Sequence, residues 1–254
     1  MTTTWDVAGP PEAPAIVFVH GTRLTRSMWR AQMIDLADDY RVIAVDLPGH
    51  GARADEPFTL DSGADAVAAA IRAEVGAPAV VVGLSLGGYV AMHLAARDPD
   101  LVRGLVLSGA TAEPVAWRAL PYRALGVALE RLPIRWLDAA NHWFFRSRFP
   151  ADIGDPVIQG GFWYRGGGAA VRSLVGERFA PRLAAFGGPV LLLNGAYDIP
   201  FRVSVRVFAR AAPQARRVRL AGAVHLANLD QPRAFSAAVR GFMATLAEAD
   251  PRLR

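Results

Sequence analysis

The sequence of 254 residues contains neither cysteine nor lysine. Without cysteine, the protein cannot have disulfide scaffolds, thiolate metal sites, iron–sulfur clusters or a cysteine nucleophile. Without lysine, it cannot use the lysine of phosphate-binding loops, a Schiff-base lysine or the lysine of protein kinases. No group of residues has the spacing of a metal site either. We therefore predict chemistry that needs no metal and no cofactor.

The 28 basic residues are all arginine and exceed the 23 acidic ones, which gives a net charge of +5. They are spread along the chain with acidic residues between them, unlike a nucleic-acid-binding patch. The densest group, Arg216, Arg217 and Arg219, lacks the interleaved aromatic residues that stack on bases. We predict no nucleic-acid partner and interpret the arginine-only set, with the abundant alanine, as the product of a GC-rich genome.

The first residues, 1–14, lack the basic start and apolar stretch of a signal peptide, which predicts a cytoplasmic protein. Residues 75–96 carry no formal charge over a length that could span a bilayer. However, proline and glycine interrupt this stretch, and a β-rich half runs into a helical half. We predict a strand, a turn and a helix there and no membrane span. The oligomeric state is left open.

Short apolar runs rich in branched residues recur along the chain, and their nearly continuous hydrophobicity is typical of parallel strands buried on both faces. They are residues 15–19, 41–45, 79–82, 105–107 and 190–193. Residues 216–220 alternate and suit a sheet edge, and the alternation of Thr3, Trp5 and Val7 predicts a first strand. Between the runs, apolar residues recur at spacings of three and four, which is typical of helices. The pattern predicts an α/β fold with an open, mostly parallel central sheet flanked by helices.

Residues 111–186 break this rhythm because they show no strand pattern and are too long for an ordinary connection. We predict a core made of residues 1–110 and 187–254, with a helical lid inserted over the carboxyl edge of the sheet. This interval holds four of the six tryptophans: Trp117, Trp136, Trp143 and Trp163. A glycine cluster inside it, Gly160, Gly161 and residues 166–168, predicts a flexible turn.

The sharpest local motif is Gly83-Leu84-Ser85-Leu86-Gly87-Gly88, between a predicted strand and a predicted helix. A serine on so tight a turn needs small residues two positions away on each side, because larger side chains would collide with the strand and the helix. The turn lifts the hydroxyl clear of the sheet. It also leaves the N–H of Leu86 free, at a helix amino terminus, to stabilise a developing oxyanion.

With this motif the sequence resembles the α/β-hydrolase superfamily, in the capped branch of ester hydrolases and lactonases, over nearly the whole chain. His20-Gly21-Thr22 resembles the oxyanion loop of that family, which implies that the backbone N–H of Thr22 is the second oxyanion donor. Residues 46–51 resemble a structural turn of the family. A serine at position 85, and not an aspartate, speaks against haloalkane dehalogenase and epoxide hydrolase chemistry.

A nucleophilic serine needs a base and an orienting acid, and in this fold they follow in the order serine, acid, histidine. His225 follows both Ser85 and a plausible acid, whereas His142 lies in the predicted lid. The predicted acid is Asp198, just beyond the run 190–193. Glu113 is its rival, because some members of the family supply the acid after the preceding strand.

These residues predict a cofactor-free serine hydrolase that cleaves a carboxylic ester, thioester or lactone. Carbon–carbon bond hydrolysis, lyase or perhydrolase chemistry, and a ligand-binding protein with poor turnover, remain alternatives because a fold does not fix a reaction. The aromatic residues of the predicted lid favour a small-molecule substrate with an apolar or aromatic part, with the four lid tryptophans as candidate contacts. Arg146 and Arg148 leave open an anionic substrate at the mouth of the lid.

Overall fold

The computed structural model describes residues 3–249. Within this range the chain forms one sheet of seven strands, in the order β1-β3-β2-β4-β5-β6-β7. The strands are β1 (Trp5–Ala8), β2 (Ala15–Val19), β3 (Arg41–Val45), β4 (Ala79–Leu84), β5 (Val102–Ser108), β6 (Val190–Gly195) and β7 (Arg216–Leu220). Strand β1 runs antiparallel to β3, and the other neighbours are parallel. This confirms the predicted open, mostly parallel sheet and the edge position of residues 216–220.

Helices cover both faces of the sheet. They are α1 (Arg30–Leu36), α2 (Leu60–Glu74), α3 (Leu86–Arg97), α4 (Leu120–Arg131), α5 (Ile134–Arg148), α6 (Ala151–Gln159), α7 (Tyr164–Ser173), α8 (Ala180–Phe186), α9 (Ile199–Ala211), α10 (Ala227–Asp230) and α11 (Pro232–Ala249). Successive side chains of a strand point to opposite faces, so β2 supplies both cores. Val17 packs with Val67 of α2 and Val90 of α3 in one apolar cluster, and Phe18 packs with Phe235 of α11 in the other.

The uncharged stretch 75–96 forms β4, the turn at Ser85 and most of α3, as predicted. Its length is therefore divided between two elements that are buried in the protein core. Among the residues that the structure describes, no helix is both long enough and apolar enough to cross a membrane.

Residues 111–186 lie between β5 and β6, and in the structure this segment carries helices α4 to α8 and no strand. Helices α4 and α7 pack closely against each other. The segment thus has the helical character that the sequence predicts. Its role as a lid stays a prediction.

The glycine cluster of this segment differs from expectation. Gly160 and Gly161 lie in the turn after α6, but residues 166–168 are part of helix α7 and not of a flexible turn. The reason is close packing: a Cβ atom on Gly166 would collide with the carbonyl oxygen of Gly49, and one on Gly167 would lie 2.8 Å from the backbone nitrogen of Arg23. These glycines let α7 approach the loops that follow β2 and β3.

Candidate active site

Ser85 occupies the turn between β4 and α3 with φ 52° and ψ −116°, a conformation that L-residues rarely adopt. Its N–H donates to the carbonyl oxygen of Ser108, 2.8 Å away. The glycines on either side are required by space, because a Cβ atom on Gly83 would collide with the backbone of Gly87, and one on Gly87 with the carbonyl oxygen of Val19. The turn therefore holds Ser85 at the carboxyl end of the sheet at a cost in backbone strain, which is typical of functional sites.

The two residues that are predicted to supply oxyanion donors line the same cavity as Ser85. Leu86 is the first residue of α3, and the first N–H groups of a helix have no intrahelical acceptor. Thr22 follows β2, and its hydroxyl donates to the carbonyl oxygen of Gly167, 3.0 Å away. Thr22, Ser85 and Leu86 all line the same cavity. The structure thus places the residues of both predicted oxyanion donors on the cavity of the predicted nucleophile.

His225 and Asp198 come from the loops after β7 and β6 and meet at the same end of the sheet. The Nδ1 atom of His225 lies 2.9 Å from Oδ2 of Asp198, with Nδ1–H as the donor to the carboxylate. The ring of Phe201, on α9, stacks on the imidazole at a centroid distance of 4.8 Å. Asp198 is buried, whereas His225 is partly exposed and lines the cavity with Ser85. The pair has the geometry of an imidazole whose orientation is fixed by a carboxylate.

Glu113, the rival acid, has other partners. Its carboxylate accepts hydrogen bonds from the backbone N–H of Phe179, at 2.9 Å, and of Ala180, at 2.7 Å. These N–H groups belong to the first turn of α8, where a carboxylate is stabilising. The structure therefore brings Asp198, and not Glu113, to His225.

Two buried histidines brace the loop that carries Thr22. His20 donates from Nδ1 to the carbonyl oxygen of Gly21 at 2.9 Å and accepts from the N–H of Leu47 at 3.0 Å. His50 accepts from the N–H of Arg23 at 3.2 Å. Burial lowers the pKa of His20 to about 4 and, with the nearby His20, that of His50 to about 3. Both are neutral imidazoles that join the loops after β2 and β3.

The cavity above Ser85 has a volume of about 480 Å³ and a mostly apolar lining. Helix α4 supplies several of the lining residues and α7 contributes Val171, while α3 and α9 contribute aromatic rings. Its apolar members include Tyr89, Tyr122, Leu125, Val171, Leu174 and Phe201. The volume lies within the range of small-molecule sites. Within the described part of the chain, no group of three or more acidic or histidine side chains could hold a metal ion.

Residues 16–238 match the model of a family described as the alpha/beta hydrolase family. The chain belongs to this family. The predicted resemblance and the predicted fold are therefore confirmed.

Individual relatives of this alpha/beta hydrolase include esterases and a lactonase. A pimeloyl-[acyl-carrier protein] methyl ester esterase of Neisseria meningitidis is 40% identical over 124 residues, 48% of this chain and 47% of the esterase. The match thus spans about half the length of that relative. A 3-oxoadipate enol-lactonase of Acinetobacter baylyi is 28% identical over 95% of both chains. Among solved structures, a thermophilic esterase of Thermogutta terrifontis superposes with a TM-score of 0.79 at 26% identity, covering 95% of this chain and 93% of the esterase.

Gly109 is a site residue that sequence reasoning missed. It follows β5 with φ +55°, and a Cβ atom there would lie 2.8 Å from Cε1 of His225 and 3.2 Å from Oδ2 of Asp198. Its N–H donates to Oδ1 of Asn194, 3.2 Å away. The hydrolase therefore needs a glycine here so that the histidine and aspartate can meet. The only sequence signal is a glycine just after a strand, which is too common to identify it.

The four predicted substrate-contacting tryptophans have different positions. Trp117 lines the cavity, although 73% of its surface is exposed. Trp136 and Trp143 lie on α5 and are 60% and 72% exposed, away from the cavity lining. The indole of Trp163 donates to the carbonyl oxygen of Gly160 at 3.3 Å and lines a separate cleft. For Trp136, Trp143 and Trp163 the predicted contact is thus corrected. The two rings of α5 are exposed, and Trp163, just before α7, faces the other cleft.

Arg148 does not sit free at the mouth of the cavity. Its guanidinium binds Oδ1 of Asp230 at 2.6 Å, and Oδ2 of the same carboxylate accepts the N–H of Val224 at 2.7 Å. Arg148 therefore braces the loop that carries His225. Arg146 is exposed and lies outside the cavity lining.

Proposed function

We propose that this chain hydrolyses a carboxylic ester, thioester or lactone through an acyl-enzyme on Ser85. One observation carries the proposal: His225, which is hydrogen-bonded to the buried Asp198, lines the same cavity as a serine held on a strained strand-to-helix turn. A nucleophile, a base and an acid that orients the base are the parts that acyl transfer needs.

In the proposed reaction the hydroxyl oxygen of Ser85 attacks the carbonyl carbon while Nε2 of His225 takes the hydroxyl proton. Asp198 accepts the hydrogen bond from Nδ1–H, which fixes the orientation of the imidazole, and it stabilises the positive charge that forms on the ring. The N–H groups of Thr22 and Leu86 hold the negative oxygen of the tetrahedral intermediate. Collapse of the intermediate expels the alcohol with the proton from His225. Water then attacks the acyl-enzyme, with His225 again as base, and releases the acid.

The relatives support the ester and lactone bond as the point of cleavage, since their names are those of a methyl ester esterase and an enol-lactonase. The mostly apolar cavity supports a substrate with an apolar or aromatic part. We further propose that residues 111–186 act as a lid. The support for this is that α4 and α7 contribute Tyr122, Leu125 and Val171 to the lining opposite Ser85.

Covalent labelling tests the nucleophile directly. A fluorophosphonate should modify one residue, and peptide mapping should find the adduct on Ser85. The matched control is Ser204→Ala, since Ser204 lines the same cavity; this variant should still be labelled at Ser85. Ser85→Ala should abolish labelling and lower turnover by roughly 10⁴-fold to 10⁶-fold with the fold intact.

A panel of esters, thioesters and lactones, assayed beside Ser85→Ala, tests the reaction. Turnover of at least one class that depends on Ser85 is the expected result. Saturable binding that survives Ser85→Ala, with no turnover of any class by the unmodified protein, would contradict a hydrolase and favour a ligand-binding protein.

A further inference from the structure

Arg23 is a cation on the cavity lining that lacks a counter-charge. It directly follows Thr22 and lines the same cavity as Ser85. Its Nε donates to Oδ1 of Asn141 at 3.1 Å. Within residues 3–249 its two terminal nitrogens have no hydrogen-bond partner, and no carboxylate lies within ion-pairing distance. By contrast, Arg26 and Arg148 each bind a buried aspartate.

The surroundings of Arg23 hold the guanidinium in place without neutralising it. Asn141 donates to the hydroxyl of Tyr164 at 3.2 Å, and that hydroxyl donates to Oδ1 of Asp138 at 2.8 Å. The nearest carboxylate of this network is therefore bound to Tyr164 and not to Arg23. Burial lowers the pKa of Arg23, yet a guanidinium stays protonated at any pH at which proteins fold.

The backbone of Arg23 adds a second observation. Its φ is 57°, in the left-handed region that residues with a side chain rarely adopt. The conformation is fixed by two hydrogen bonds, from the N–H of Arg23 to Nε2 of His50 and from the N–H of Trp163 to the carbonyl oxygen of Arg23. Both the strain and the partial burial of an unpaired charge cost free energy, and such costs are concentrated where a ligand is bound.

Besides Arg23 and His225, two other charged side chains line the cavity. Neither of them is an enclosed cation without a partner. The carboxylate of Glu113 is occupied by the N–H groups of Phe179 and Ala180. Arg118 is exposed, with its guanidinium 5.3 Å from the centroid of the Trp117 ring. Arg23 is thus the more enclosed cation of the site, beside the residue that supplies a proposed oxyanion donor.

We propose that Arg23 binds a carboxylate of the substrate, so that the enzyme acts on an acidic ester or lactone: one in which an apolar spacer separates the scissile carbonyl from a carboxylate. This inference rests on the proposed function. A planar guanidinium whose two terminal nitrogens are free matches the two oxygens of a carboxylate. The apolar remainder of the lining suits the spacer.

A pair of substrates that differ only in charge tests the proposal. Methyl hydrogen adipate ends in a carboxylate where methyl hexanoate ends in a methyl group. The protein should prefer the adipate ester in kcat/KM, and Arg23→Gln should lower that value by about 10-fold to 100-fold, mainly through KM, because a charge-assisted hydrogen-bonded pair is lost. The value for methyl hexanoate should change by less than about 3-fold.

Three further variants show which arginine is responsible. Arg23→Lys keeps the charge but not the paired donors and should recover part of the preference. Arg165→Gln, on the exposed side of α7, is the matched control and should behave like the unmodified protein. If Arg118→Gln removes the preference and Arg23→Gln does not, the assignment to Arg23 is wrong.

Binding without turnover separates this inference from the proposed function. Adipate should bind to Ser85→Ala, as measured by calorimetry, and Arg23→Gln in the same background should weaken binding by about 10-fold or more. If adipate binding depends on Arg23 but the protein cleaves no ester, the proposed function is wrong and the anion site at Arg23 is still supported. If the protein cleaves esters without preferring acidic ones and does not bind adipate, the anion site at Arg23 is wrong and the proposed hydrolase function is still supported.

Discussion

The two buried histidines should make this hydrolase less stable in mild acid. His20 and His50 are completely buried, and burial holds their pKa values at about 4 and about 3, against an ordinary value of 6.5. In the unfolded chain both imidazoles regain the ordinary pKa. Below pH 6.5 the unfolded state therefore binds more protons than the folded state, and stability falls as the pH falls. Above about pH 6.5 this loss is absent, because both states are neutral.

The size of the effect follows from the pKa differences. At about pH 5 the unfolded chain is about 1.5 pH units below its histidine pKa, and each unit is worth about 1.4 kcal/mol per group. Each histidine therefore lowers the free energy of unfolding by about 2 kcal/mol, and the two together by about 4 kcal/mol. The loss continues until the pH reaches the folded pKa values of about 4 and about 3. Domains are stable by only about 5 to 15 kcal/mol, so a loss of about 4 kcal/mol is a large share of the free energy of unfolding.

Urea unfolding at about pH 7.5 and about pH 5 measures the effect. In the unmodified protein the free energy of unfolding should fall by about 4 kcal/mol between the two conditions, and in His20→Gln by only about 2 kcal/mol, although that variant starts less stable. Val17→Ala, in neighbouring β2, carries no titratable group and should lose stability equally at both pH values. A full 4 kcal/mol fall in His20→Gln would refute the reasoning, since the other histidines are common to both proteins.

Three further predictions concern the site. Asp198→Asn should lower turnover by about 10²-fold to 10⁴-fold with the fold retained. Glu113→Gln should mainly lower the melting temperature, because it weakens the hydrogen bonds at the first turn of α8. Enzyme kinetics and thermal unfolding of both variants check these expectations. Gly109→Ala should lower kcat by about 10-fold or more, because its Cβ would displace His225, and unchanged kinetics would contradict this. Selectivity should rise from acetate to octanoate esters by up to about 0.8 kcal/mol per buried methylene, and a flat series would rule out an apolar acyl pocket.

The sheet was predictable because its signal is local. Residues 15–19 and 41–45 are apolar at nearly every position, and the structure forms β2 and β3 over those same residues. Strands buried on both faces need such runs, whatever the rest of the chain does. The strand before Ser85 extends two residues past its predicted end, to Leu84, because the turn at Ser85 begins only there.

The glycines of α7 show where local reasoning fails. Glycine in sequence signals a turn, but in residues 166–168 it signals that a helix passes very close to other backbone. That information lies in the partner, the loop that holds Gly49, more than 100 residues earlier in the chain. The tryptophans fail for a related reason, since composition cannot say which side of α5 faces solvent.

The choice of acid depends on the same long-range contacts. Asp198 and Glu113 both follow parallel strands, β6 and β5, and both reach the carboxyl edge of the sheet. Only the tertiary structure decides between them. Gly109 leaves room for Asp198 to reach His225, and the first turn of α8 takes the carboxylate of Glu113.

The segment 111–186 is connected to both halves of the candidate machinery. The carbonyl oxygen of its residue Gly167 accepts a hydrogen bond from the hydroxyl of Thr22, on the proposed oxyanion loop. Through Arg148 it binds Asp230, which holds the backbone of the loop that carries His225. The proposed oxyanion donor and the proposed base are therefore each supported by the inserted helices as well as by the sheet. The motif around Ser85 specifies the proposed nucleophile locally, but the geometry opposite it depends on residues that no short motif contains.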